Sequence, residues 1–244
     1  MKAKDYWNKE YAKSNRSGGN NPHLALSTIH AEDLEKFTRY LERNFGKKYL
    51  NVTTKVLDMG CGNGRNLIYL CSAFNVRGFG YDISDVGIRE AKKEWALVAT
   101  DAQKTSVEFQ VLPLSEPIPL PDASVMVALD MMASHVLLKE ERIRLRDEVL
   151  RVLKPEGWLF FKSFLLDDDS HAKRLLREKP AEEDGMYVHP EIGTPEYVWT
   201  EDALRDFFEP HFKIHKIEKS FKHKHADGSA WKRRTIVAYL QKEN

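Results

Sequence analysis

The residues most able to do chemistry lie between positions 56 and 82: Val56-Leu57-Asp58-Met59-Gly60-Cys61-Gly62-Asn63-Gly64-Arg65-Asn66-Leu67, and then Asp82, 18 residues past Gly64. An apolar run leads into three glycines at alternate positions and on into a helical pattern. Such a loop turns tightly, lets a ligand approach bare backbone and offers it the free N–H groups of a helix start. An acid closing the next strand can accept two hydrogen bonds from a ribose diol. Asp58, at the end of the first strand, suits an ammonium group, directly or through water. A dinucleotide fingerprint would need glycine at position 65, where Arg65 stands, so NAD is disfavoured. No G-x-x-x-x-G-K-S/T loop is present to cradle a triphosphate. The chemistry that fits is the binding of a nucleoside with a small zwitterionic tail.

Other candidates are less sharply defined. The segment Asp130-Met131-Met132-Ala133-Ser134-His135 leaves a fourth strand toward the same end of the sheet, where ligands of open α/β folds bind. His135 is a candidate general base, histidine being the side chain that changes charge near neutral pH; the alternative is a packing residue at a helix start. Asp130 is read as orienting the ligand's amino end. Tyr187, His189, Glu191, Tyr197 and Trp199 either line an acceptor pocket or pack as a lid on the sheet. Asp167-Asp168-Asp169 reads as a solvated helix start, because three consecutive carboxylates cannot all face one ion. No metal site is expected. From His211 to Arg234, eight Lys/Arg stand against two acids. That run either attracts phosphate groups, RNA included, or is an edge strand protected by lysines.

These residues need an alternating scaffold to position them. Strand-like runs at 55–59, 76–81, 107–112, 125–130 and 158–164 are separated by helical stretches or by a Pro-punctuated loop. Strands spaced by crossovers indicate a parallel sheet covered on both faces. Leu145, Val149, Val152 and Leu153 mark a helix after the fourth strand, stopped by Lys154-Pro155-Glu156-Gly157. Polar residues 14–23 read as a mobile loop behind a short aromatic helix carrying Trp7 and Tyr11. A long insertion, 165–199, holds a short helix over 170–178. Thr200 then starts the final helix, and the runs 212–221 and 231–240 flank Asp227-Gly228 as a closing antiparallel hairpin.

The chain of 244 residues is long enough to bury roughly 70–75% of its unfolded surface without staples. Cys61 and Cys71 cannot form a disulfide framework, and no signal peptide or membrane-length apolar run is present. A cytoplasmic protein without membrane contact is expected. A net charge of +1 excludes a globally basic nucleic-acid binder.

With these residues in view, the sequence resembles the class I S-adenosylmethionine-dependent methyltransferases. Asp58-Met59-Gly60-Cys61-Gly62-Asn63-Gly64 is similar to their D-x-G-x-G-x-G motif, and Asp82 to the acid closing their second strand. The likeness continues through 119–124, 150–158 and 200–204. It implies an α/β, Rossmann-like fold: a seven-stranded, mostly parallel sheet with an antiparallel last strand and helices on both faces. It further implies S-adenosyl-L-methionine as cofactor, with Gly60 and Gly62 near its methionine part and ribose. Asp82 would hold the ribose hydroxyls, Ile83 would pack on adenine, and Cys61, Asn63, Gly64 and Leu112 would complete the site. Two positions depart from the pattern. Leu112-Pro113-Leu114 replaces a common Gly-Asp-Ala, and Val125-Met126 replaces a common Phe-Asp, leaving Asp130 as the nearby acid.

The expected organisation is one methyltransferase domain over 1–244. It comprises an N-terminal helical flap (1–50), a cofactor-binding core (51–164), a lid or acceptor insertion (165–199) and a final helix with hairpin (200–244). A small-molecule acceptor is favoured; RNA methylation through the basic hairpin, or a non-catalytic binding module, are the alternatives.

Overall fold

Val56, Leu57, Asp58 and Met59 are all buried, as a strand covered on both faces requires. They form most of β1 (Lys55–Met59), an interior strand of the main sheet. The computed structural model describes residues 2–14, 27–190, 193–220 and 233–243. On one side of β1 lie β2 (Arg77–Asp82) and β3 (Val107–Val111); on the other lie β4 (Val125–Met131) and β5 (Leu153–Phe164), all parallel. The insertion after β5 holds a separate antiparallel pair, β6 (Met186–Val188) and β7 (Pro195–Tyr197), which the sequence did not suggest because three-residue strands show no alternation. Beyond it come β8 (Phe212–Ser220) and β9 (Thr235–Lys242), with β9 inserted antiparallel between β5 and β8. The order β3-β2-β1-β4-β5-β9-β8 is the seven-stranded, mostly parallel sheet with an antiparallel last strand that was expected.

Alternate residues of the central strands feed two cores. Val56, Val127, Leu129 and Phe160 face α2 (Glu32–Phe45), α3 (Arg65–Phe74) and α4 (Asp85–Val98). Leu57, Met59, Ala128 and Phe161 face α5 (Lys139–Val152) and α7 (Glu201–Phe208). The N-terminal α1 (Lys2–Ser14) runs against α4, and α6 (Ser170–Glu178) belongs to the insertion. Because neighbours of β1 run off in opposite sequence directions, a crevice opens beyond the carboxyl ends of β1 and β4, the place where such sheets bind ligands.

Strand β5 starts five residues earlier than its apolar run suggests. Helix α5 stops at Val152, Leu153 pairs with Val125 of β4, and the register then shifts so that pairing resumes at Trp158, with the left-handed turn falling on Glu156 at φ 61° rather than on Gly157. Asp169 does start α6, its carboxylate accepting from the Ala172 N–H at 2.8 Å, but it is buried rather than solvated and also accepts from the Arg234 N–H at 2.8 Å. The loop expected over 14–23, Ser14 apart, and the tip of the hairpin at 221–232 lie outside the described residues, as does Glu191.

Candidate active site

The crevice is a cavity of about 580 Å³, within the size range of small-molecule sites. Its floor is the loop after β1. Gly60, Gly62 and Gly64 all have positive φ, which bends the chain from strand into α3. At Gly60 a Cβ would lie 2.3 Å from the Ala133 Cβ, and at Gly62 one would lie 2.1 Å from the Tyr11 hydroxyl. The glycines therefore admit close neighbours as well as a turn. Gly60→Ala combines left-handed strain with that clash, so we expect a loss of about 2–3 kcal/mol, read as a lower thermal midpoint.

Asp82 fixes the loop from the side. Its Oδ2 accepts from the Gly62 N–H at 2.9 Å and its Oδ1 from the Ser84 N–H at 2.7 Å. Burial pushes its carboxyl above the usual range against these two bonds. Each oxygen retains a lone pair for a further donor. Ile83, Pro113, Leu114 and Ser115 continue this wall, while Leu112 stands off it, its N–H given to the Asp82 carbonyl at 2.9 Å.

Asp58, Gly64 and Asp130 also lie behind the wall rather than on it. Asp58 is fully enclosed, its Oδ2 has no partner, and burial together with Asp82 pushes its pKa up to about 7. A carboxyl raised in the fold above its unfolded value near 4 binds extra protons between about pH 4 and 7, so stability falls as pH rises through that window. Asp58→Asn should remove that slope and raise the melting temperature by a few degrees above pH 7, checked by melts from pH 4 to 9. Asp130 accepts from the Ser134 N–H at 3.1 Å and shapes the turn after β4. In that turn Met132 takes φ 63°, a strained value for a residue with a side chain, and reaches the cavity.

The roof comes from α1: Ala3, Trp7 and Tyr11 line the cavity. Asn8 holds this helix on the start of α4, accepting from the Ser84 hydroxyl at 2.6 Å and donating to Asp85 at 2.9 Å. Tyr11 is buried over Gly62, and burial beside Asp82 raises its phenol well above the ordinary value. Nothing in the local pattern of 2–14 announces this packing partner.

His135 is brought to the wall, with Cys61, Asn63, Met131, Val136, Leu137, Lys162, Phe164 and Arg233. Its Nε2 faces the buried Glu196 Oε1 at 3.7 Å, and its Nδ1 has no partner. Glu196 also accepts from Arg233 at 2.7 Å and from the Tyr187 hydroxyl. Burial alone would raise the Glu196 carboxyl; His135 and Arg233 outweigh it and hold it well below the usual range. Sequence reading missed Glu196 and singled out its neighbours.

The four aromatic and histidine candidates of the insertion stand off the cavity wall. Tyr187 is enclosed beside Glu196, and Tyr197 stacks under the Arg142 guanidinium at 3.9 Å. Trp199 packs on Phe161 and Phe208, and His189 sits half-buried in the turn joining β6 to β7. The insertion buttresses the wall from behind, its own small core formed by Ala172, Leu175, Tyr187 and Val198.

Residues 56–157 match the model of a methyltransferase domain. Among solved structures, an S-adenosylmethionine-dependent methyltransferase of Methanosarcina mazei superposes with a TM-score of 0.64 at 26% identity, covering 80% of this chain and 95% of that one. Over residues 56–157 the chain thus carries a methyltransferase domain, on the fold of the S-adenosylmethionine-dependent methyltransferases. Curated relatives include the glycine/sarcosine/dimethylglycine N-methyltransferase of Actinopolyspora halophila, 29% identical over 180 residues, 71% of this chain and 30% of the relative. Another is the 27-O-demethylrifamycin SV methyltransferase of Amycolatopsis mediterranei, 31% identical over 132 residues, 54% of this chain and 46% of the relative. The chain thus spans less than half the length of these two methyltransferases.

Proposed function

We propose that the chain is an S-adenosylmethionine-dependent methyltransferase acting on a small molecule. The observation that carries this is the joint placement of the glycine loop and Asp82 on one cavity at the β1/β4 crevice. The residues fit the cofactor: bare backbone at Gly60 and Gly62, spare acceptor capacity at Asp82, an apolar slot at Ile83, Pro113 and Leu114, and an unpartnered buried carboxylate oxygen on Asp58. On this reading Asp82 accepts from the ribose hydroxyls, Ile83 and Leu114 flank adenine, and Asp58, enclosed behind the floor, answers the amino group only through an intervening water. Cys61 and Asn63 complete the floor, while Gly64, Leu112 and Asp130 act by holding the wall in shape.

When bound, S-adenosylmethionine supplies a methyl group on a positively charged sulfur. The protein's part is to hold an acceptor against that group and exclude water, which the apolar surfaces of Trp7, Met131, Met132 and Phe164 favour. An acceptor with a free lone pair needs no base. Where a proton must leave, that role is assigned to His135, the histidine of the wall, whose Nε2 lies 3.7 Å from Glu196. His135→Gln is then expected to lower kcat while leaving cofactor affinity within about twofold, measured by labelled-methyl transfer and calorimetry.

The relatives named above are described by small-molecule substrates, and the cavity is roofed by α1, both of which favour a small acceptor over RNA. The basic run of 211–234 has its tip outside the described residues. Among the described residues no helix is long and apolar enough to cross a membrane, and Cys61 and Cys71 are free and buried. We set the protein in the cytoplasm on that basis, working as one domain over 1–244. Calorimetry with S-adenosylmethionine and S-adenosylhomocysteine, followed by labelled-methyl transfer into pools of metabolites and RNA, tests the proposal. Binding without transfer into either pool would mark a non-catalytic module.

A further inference from the structure

Strand register divides the cavity in two. The ends of β1 and β2, with Gly62 and Asp82, form the half read above as the nucleoside seat. The other half is built on β4, β5 and β9, where Met131 pairs with Lys162 and Phe164 pairs with Thr235. Lys162 and Phe164, two apart on one strand, share a face, and Arg233 lies over the Phe164 ring at 3.5 Å. This second half carries three basic side chains, His135, Lys162 and Arg233.

The acids that balance them stand outside. Lys162 Nζ is held by Asp33 at 2.6 Å and Arg233 Nη1 by Glu196 at 2.7 Å, yet neither Asp33 nor Glu196 is among the residues lining the cavity. Among the described lining residues the one acid is Asp82, in the nucleoside half. In both ion pairs the cationic residue belongs to the lining of the cavity and the acidic residue does not. Arg233 is 13% exposed and gives only Nη1 to Glu196, while its Nε and Nη2 are enclosed in the wall.

We propose that the methyl acceptor carries a carboxylate, seated in the β4–β5–β9 half of the cavity by Lys162 and Arg233. The inference rests on the methyltransferase reading for the word acceptor, but the anion seat is made by the protein alone. Each cation is already half-answered by its acid, which suits one negative charge better than the two of a phosphate monoester. The apolar neighbours Met131, Val136 and Leu137 would meet the carbon skeleton.

The test is calorimetric titration of matched pairs, benzoate and benzamide, hexanoate and hexanamide, sarcosine and its amide, with and without saturating S-adenosylhomocysteine. At least one acid should bind roughly tenfold or more tighter than its amide, as a charge-assisted contact requires. That preference should fall below about threefold in Lys162→Gln and in Arg233→Met. Lys162→Gln leaves the partly exposed Asp33 still paired with Lys36 at 3.5 Å, so it serves where Arg233→Met fails to fold. Amides that bind as well as their acids, a preference that survives Lys162→Gln and any folded Arg233→Met, or phenyl phosphate binding tighter than benzoate would each overturn the carboxylate seat. An acid preference seen while S-adenosylhomocysteine fails to bind would instead overturn the cofactor reading and leave the seat standing.

Discussion

Asp82→Ala is expected to weaken S-adenosylhomocysteine binding by roughly 10²–10³-fold, with the protein still folded, as measured by calorimetry. Two losses combine. One is the pair of charge-assisted bonds to a ribose diol, each worth about 1.5–3 kcal/mol against a buried, water-poor background. The other is the loop itself, because the same carboxylate accepts from Gly62 and Ser84 and so holds the floor and the start of α4 in register. Asp82→Asn keeps one oxygen acceptor and should fall between the two. An affinity unchanged by either substitution would mean that the acid only braces the loop and that the sugar lies elsewhere.

Glu196→Ala should be the most destabilising single change around the cavity, by about 3–5 kcal/mol. Its carboxylate is buried and answers Arg233, His135 and Tyr187 together. Removing it leaves a largely enclosed guanidinium without its counter-charge, which costs more than the ion pair gives. For a chain of this size that corresponds to a fall of roughly 6–20 °C in melting temperature. Because Glu196 is held below its unfolded carboxyl range, its contribution is fully present above that range and is lost as pH falls toward the folded value. Glu196→Gln should therefore cost most at neutral pH and progressively less in acid. Melts at pH 7 and pH 4 that shift by the same amount would show that the charge is not the stabilising feature.

The parts of this site that could be read from sequence are those written in short-range pattern. Gly60, Gly62, Gly64 and the strand before them announce a turn that needs positive φ, and a second strand length later Asp82 must end beside that turn. The central strands were legible for the same reason, since burial on both faces makes each an unbroken apolar run. The wall beyond β4 was not. Glu196 and Arg233 are 37 residues apart and meet only because β7 and the start of β9 pack on one turn. Tyr187, Tyr197 and Trp199 illustrate the opposite error: an aromatic residue has the same composition whether it faces a cavity or fills a core, and here the core or the rear of the wall claims all three. Trp7 and Tyr11 were visible as an aromatic helix, but the surface they roof is decided by long-range packing that no local pattern encodes.

Strand β9 bears on how the protein comes into being. Ile236, Val237, Ala238, Tyr239 and Leu240 are buried on both faces and pair with partners drawn from 153–164 on one edge and 212–220 on the other. During translation, β5 must wait with one edge unfilled until residue 242 has left the ribosome, long after its other neighbours are in place. The nascent chain thus carries an open, apolar strand edge through about the last third of its synthesis, and the interval before it closes is when chaperone capture or self-association would claim it.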